Sequence, residues 1–206
     1  MLTMKRALAI GAHPDDIELG CGGSIAKLAS SGVDVHALIL SMGREGATGS
    51  FDRAQESHRA LVALGVKQVR QCDFRDTSLH QDLASIIKEI EEAVRAIQPD
   101  RVYTMFQGDR HQDHRTTFEA SIVASRNVRQ VLCYETPSSW PNFSPTIYED
   151  IGPQLEPKID ALRLHRSQCD KSYMQKDQIR CAAAFRGQQV GCGPSEGFIP
   201  YRMVFE

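Results

Sequence analysis

With 206 residues, 41% of them hydrophobic and 24% charged, the chain has the make-up of an ordinary soluble globular protein, one domain rather than two. A net charge of −2 with no long block of like charge gives no electrostatic support to nucleic-acid or membrane-surface binding, and no stretch approaches the ~20 apolar residues of a membrane span. The six cysteines form no Cys-x-x-Cys pair, so reduced thiols in a cytoplasmic protein are expected rather than disulfides or a thiolate zinc site.

In chain order, residues 5–11 read as a short buried strand. The basic pair Lys5-Arg6 before that run imitates a signal peptide, but no small-residue cleavage site follows. Gly20-Cys21-Gly22-Gly23 opens a helix through Ile25, Leu28 and Ala29, stopped near Gly32. Residues 33–40 form a second strand, and Gly43 to Gly49 a glycine-rich loop. Residues 52–64 have helical spacing, and 66–72 read as a third strand. Leu83, Ile86, Ile87, Ile90, Val94 and Ile97 make an amphipathic helix that Pro99-Asp100 ends. A fourth strand (101–106), a helix (116–126) and a fifth strand (128–135) follow.

This βαβα alternation predicts an α/β fold, a Rossmann-like, mostly parallel sheet with helices on both faces. Beyond residue 136 five prolines break the pattern into loop; helices at 155–170 and 175–185 and a closing strand at 197–205 are expected. Residues 1–135 would be the core of a single domain, and 136–206 its cap and closing strand.

Two segments carry chemistry. Ala12-His13-Pro14-Asp15-Asp16 ends the first strand, and Asp109-Arg110-His111-Gln112-Asp113-His114 follows the fourth. The carboxyl ends of strands are where open α/β sheets build their sites. His13 and Asp16 leave one tight turn three residues apart, and His114 would join them from a neighbouring strand. Two histidines and a carboxylate with an open position suit catalytic zinc, and accept Fe²⁺ as well. Asp15 is then free to act as general base. His111, if protonated, could stabilise an oxyanion or give a proton to a leaving amine, with Asp113 holding its ring. Polar residues that merely cap strand ends would look similar in either segment alone; both together favour a metal site.

These residues resemble the LmbE-like (PIG-L) N-deacetylases. Residues 12–16 with Glu18 and Gly20-Cys21-Gly22-Gly23 are similar to the family's opening signature, and His111-Gln112-Asp113-His114 to its second, with Gln112 where proline is common. The likeness continues through Arg53-x-x-Glu56, Tyr134-Glu135-Thr136, and Lys158, Ala161-Leu162, His165 and Ser167-Gln168. It implies zinc-dependent removal of an acyl group, usually acetyl, from an amino sugar or related conjugate, and association of copies, since members often assemble. It implies His13, Asp16 and His114 as ligands, Asp15 as base, and His111 with Asp113 as aids to the intermediate. A matching Arg lies in the family's substrate pocket, which makes Arg53 a substrate-contact candidate.

Arg44 in the glycine-rich loop is a weaker candidate. Trp140 either stacks on a sugar face or pins the 137–145 segment. His36, His58 and His80 read as surface or hydrogen-bonded residues. Two other classes compete. A non-haem Fe(II) oxygenase would use His13-x-Asp15 and His114, and a binding domain would hold a metal only for structure.

Overall fold

The apolar run at residues 7–10 becomes strand β1 (Arg6–Gly11), buried at every position after Arg6. In this computed structural model, which describes residues 4–46 and 51–204, β1 is an interior strand, third in a seven-stranded sheet. The other strands are β2 (Asp34–Ser41), β3 (Gln68–Phe74), β4 (Arg101–Met105), β5 (Gln130–Tyr134), β6 (Ile147–Asp150) and β7 (Ser195–Met203), in the order β3-β2-β1-β4-β5-β7-β6. The first five are parallel, with Leu8 opposite His36 on one side and Val102 on the other. β7 returns antiparallel to β5, and β6 antiparallel to β7. The α/β fold is therefore as expected. The chain runs outward from β1 to β3 and then restarts on β1's other side at β4. That reversal is a topological switch point, where open sheets place their ligands.

The helices are α1 (Asp16–Ser30), α2 (Arg53–Ala63), α3 (Leu83–Ile97), α4 (Gln112–Ala124), α5 (Leu155–Leu162) and α6 (Lys176–Gln188). α1 packs with α2 and α5, and α3 with α4. Ile151, Leu155, Ile159, Leu162, Met174, Ile179 and Ala183 form a second apolar cluster, between α5 and α6. No helix among the described residues is long and apolar enough to cross a membrane.

Three expectations need correction. α1 starts at Asp16, four residues before the glycines, and is interrupted at Cys21, where φ is −143°. The backbone groups freed there have buried partners. Lys158 Nζ donates to Leu19 O at 2.7 Å, and Glu196 accepts from Gly23 N at 2.9 Å and Ser24 N at 2.8 Å. The sequence pattern thus showed only the second half of the helix. α5 stops at Leu162 instead of 170, because the chain turns there to bring His165 and Ser167 onto the buried Glu18 and Glu56. The proline-broken stretch holds a strand, β6. The glycine-rich loop begins with a 3-10 turn at Arg44–Gly46; its residues 47–49 lie outside the described residues, as does the last residue of the expected strand 197–205.

Gly20 is where the sheet and α1 come closest. A methyl group there would overlap the ring of the fully buried Tyr134, whose hydroxyl donates to Ile10 O at 2.7 Å. Gly20→Ala is expected to destabilise the fold by about 1–3 kcal/mol through overpacking. Urea unfolding measures this, and an unchanged midpoint would contradict the packing described.

Candidate metal centre and active site

The turn after β1 carries His13, Asp15 and Asp16; the segment after β4 carries Asp109, His111, Asp113 and His114, the last two in the first turn of α4. The structure brings the two segments together. His13 Nδ1 lies 3.4 Å from Asp16 Oδ2, and His114 Nε2 lies 3.3 Å from Asp16 Oδ1. Ligand atoms ~2.0–2.1 Å from a tetrahedral centre stand about 3.3 Å apart, so each imidazole–Asp16 pair has the spacing of two ligands on a zinc-like ion. Each imidazole also has a carboxylate on its other nitrogen. His13 Nε2 lies 3.1 Å from Asp113 Oδ2 and 3.1 Å from Asp76 Oδ1; His114 Nδ1 lies 3.0 Å from Asp109 Oδ2. Such outer carboxylates fix the ring orientation of metal-binding histidines. A possible His/Asp metal site is therefore present. The sets whose ligand atoms all lie within 4.8 Å of one another are His13, His111 and His114, and His13, Asp76 and Asp113.

Charge supports the same reading. Five buried carboxylates (Asp15, Asp16, Asp76, Asp109, Asp113) crowd a site that also holds the buried Arg53. Burial works against a charged His13, but Asp113, Asp16 and Asp76 overcome it and raise its pKa well above 6.5. Burial likewise opposes charge on His114, and Asp16 and Asp109 overcome it, bringing its pKa to about 9. Burial favours a neutral Asp16, yet His114 and His13 hold its carboxyl well below the usual range. The pocket concentrates negative charge that calls for cations.

Asp15 behaves differently. Burial, then repulsion from Asp16, raises its pKa to about 7, against the pull of Arg53. Its φ of 101° is left-handed, a strained conformation for a residue with a side chain. Arg53 braces this turn: Nη2 donates to Pro14 O at 2.9 Å and lies 3.4 Å from Asp15 Oδ2, while Nη1 donates to Gly43 O at 3.0 Å. Arg53 Nε is buried without a partner among the described residues.

His111 stacks on His114 with ring centroids 4.7 Å apart. The Asp113 backbone N–H donates to His111 Nδ1 at 3.2 Å, which leaves Nε2 as the protonated nitrogen of a neutral ring. Burial, then the neighbouring His13 and His114, lowers its pKa. The expected support of the ring by Asp113's carboxylate is corrected. That carboxylate faces His13 and accepts from Thr77 N at 2.7 Å and Leu79 N at 3.1 Å.

His13, Asp15, Asp16, Arg53, His111 and His114 line one cavity of about 380 Å³, with Glu45, Asp76, Thr77, Ser138, Lys171 and Tyr173 among the others. Arg44 does not line it; it is exposed and pairs with Asp73. Trp140 does not either; it is 49% exposed, and its backbone N–H pins the loop by donating to Gly108 O at 2.8 Å. Sequence reasoning missed Asp76, Asp109 and Ser138. Asp109 stands in the second segment, and Asp76 follows the end of a parallel strand, the position that signals a site.

Behind Asp15, His165 Nε2 lies 2.9 Å from Glu18 Oε1, both fully buried. Burial lowers the His165 pKa, but Glu18 reverses this and raises it. A raised folded-state pKa stabilises the fold fully below the unfolded value near 6.5, and the contribution is lost as pH rises through the folded value. His165→Ala is expected to cost about 3 kcal/mol or more at pH ~6, and less at pH ~9. Denaturant titrations at both pH values measure this; a cost that grows with pH would contradict the pairing.

An open sheet with carboxylate-backed histidines at its switch point defines a class of α/β proteins built around a metal-ready cavity. The chain belongs to the PIG-L family, described as GlcNAc-PI de-N-acetylase, which matches residues 8–125, and this is a family of deacetylases. It is 44% identical over 169 residues to the uncharacterised deacetylase YaiS of Escherichia coli (strain K12), covering 79% of this chain and 91% of that one. It is 30% identical over 227 residues to the diacetylchitobiose deacetylase of Thermococcus kodakarensis, covering 96% and 84%. Among solved structures, the N,N'-diacetylchitobiose deacetylase of Pyrococcus horikoshii superposes with a TM-score of 0.80 at 27% identity, covering 96% and 84%.

Proposed function

We propose that this chain is a metal-dependent amide hydrolase that removes an N-acyl group, typically acetyl, from an amino sugar or related conjugate. The observation that carries this is the division of labour in one cavity. His13, Asp16 and His114 converge at ligand spacing, while Asp15 and His111 line the same cavity without being needed to hold an ion. Those three residues would hold a divalent zinc or ferrous ion, which would supply Lewis acidity to the amide carbonyl and a nucleophilic water near neutral pH.

Asp15 takes the proton of the attacking water and later returns one to the departing amine. Its raised pKa, about 7, suits a group that must do both. His111 Nε2–H donates to the carbonyl oxygen as negative charge develops there. Arg53 holds the Asp15 turn in place, and Asp113 and Asp109 orient the two imidazoles. The oxyanion donor and the base thus approach the amide carbon from different strand ends. The products are a carboxylate and a protonated amine.

The relatives support the substrate class, since two are named for removing acetyl groups from diacetylchitobiose. The polar lining from Glu45, Asp76, Arg53 and Lys171 suits sugar hydroxyls. The oxygenase alternative needs Asp15 between the imidazoles, but Asp16 holds that place and Asp15 faces Arg53. The test is acetate release from a panel of N-acetylated amino sugars, with zinc added and with chelator. Release that needs the metal is expected; chelator-insensitive release would overturn the proposal.

A further inference from the structure

The segment between α5 and α6 is pinned to the site by buried polar contacts. His165 Nε2 lies 2.9 Å from Glu18 Oε1, the Ser167 backbone N–H donates to Glu56 Oε1 at 3.1 Å, and Gln168 Nε2 donates to Gly46 O at 3.2 Å. Glu56 shares the buried face of α2 with Arg53 and Ser57, and Ser57 Oγ donates to Glu18 Oε1 at 2.7 Å. One helix face therefore grips the Asp15 turn through Arg53 and this segment through Glu56. The segment goes on into a short 3-10 turn, Ser172–Met174, whose Met174 is buried in the apolar cluster between α5 and α6.

What this anchoring delivers to the cavity is Tyr173. The side chain is half-buried, packs against that apolar cluster and lines the cavity that holds Asp15. Its hydroxyl makes no hydrogen bond to a described residue. Ser138 in the same cavity is different, since its hydroxyl is engaged by Asp109 at 2.6 Å and His114 at 3.2 Å. Burial, then the Asp15 charge, raises the Tyr173 pKa to about 12 against the pull of Arg53, so the group stays a neutral phenol. Asp15 pushes harder than Asp16, which places the hydroxyl nearer the proposed base than the proposed ligand.

That position selects one half of an amide. In the hydrolysis proposed above, the carbonyl oxygen faces the ion and His111. Asp15 returns a proton to the departing amine, so the scissile nitrogen faces Asp15, and a group beside Asp15 lies next to that nitrogen. We propose that the Tyr173 hydroxyl oxygen accepts the hydrogen bond of the scissile N–H and holds the amine half of the substrate against Asp15. The inference rests on the amide-hydrolase reading. Attack at the carbonyl frees the nitrogen lone pair, and an acceptor on the N–H turns that lone pair toward the acid, a contribution of orientation. Tyr173 itself transfers no proton.

The test compares the zinc-loaded unaltered chain with Tyr173→Phe, which keeps the ring and removes the acceptor. Rates are measured on N-acetylglucosamine, and the two products, glucosamine and acetate, are titrated separately by calorimetry. A fall in kcat/KM of about fivefold or more is expected, the worth of one neutral hydrogen bond, with zinc content and urea midpoint unchanged. Glucosamine binding weakens by about the same factor, while acetate binding stays within about twofold. Glucosamine bound equally by both forms would overturn the proposal and leave the hydrolase reading standing. Acetate weakened as much as glucosamine would overturn it too, by assigning the hydroxyl to the acyl half, and a loss of zinc or a lower midpoint would reduce Tyr173 to a structural role. If the unaltered chain hydrolyses no amide, the hydrolase reading fails and the glucosamine titration decides. Weakening confined to glucosamine keeps the amine contact; equal binding, or none by the unaltered chain, overturns it as well.

Discussion

Replacing Asp15 by asparagine lowers kcat for amide hydrolysis by about 10²- to 10⁴-fold, the contribution of a positioned general base, while zinc content stays at the level of the unaltered chain. The reason is local. Asp15 is held by a left-handed backbone and by Arg53, and the two imidazoles face Asp16 instead. Asparagine keeps size and the contact with Arg53 but cannot take a proton. Steady-state rates paired with elemental metal analysis make the comparison. Activity near that of the unaltered chain would remove Asp15 as base, and loss of metal together with activity would make it a ligand.

Asp16→Ala is expected to do the opposite, removing metal first and activity as a consequence. Asp16 presents one oxygen to each imidazole and also accepts the His13 backbone N–H at 2.7 Å. Its loss opens the donor set at the middle. Asp109→Asn acts one shell further out, where loss of an orienting carboxylate costs about 10- to 100-fold in metal affinity. The Asp16 variant should bind zinc more weakly than the Asp109 variant in competition with a chromophoric chelator. The reverse order would mean that Asp109 lies nearer the ion than the geometry places it.

The parallel half of the fold was legible because buried strands and amphipathic helices have distinct periods, and residues 5–134 alternate between them cleanly. β6 was not. Four residues with exposed or half-exposed side chains, flanked by prolines, carry no pattern of their own; only pairing with β7, nearly fifty residues later, makes them a strand. The start of α1 was obscured because its glycines read as the opening of the helix, whereas they lie inside it and permit the close approach of Tyr134 and Ile151. In the site, the two segments could be read because both leave strands at the switch point. The direction of Asp113 could not, since it depends on Thr77 and Leu79 of a distant loop. Arg44 and Trp140 were candidates by residue type alone, and type does not say which way a loop side chain faces.

In the proposed hydrolase, His13, Asp16 and His114 together hold one divalent ion while Asp15 stands free beside it. Anomalous diffraction at the zinc edge from zinc-soaked crystals tests this directly. A single peak between His13 Nδ1, the Asp16 carboxylate and His114 Nε2, with Asp15 outside bonding distance, is the result predicted. A peak on Asp76 and Asp113, or one bonded to Asp15, would contradict the assignment of ligands and base alike.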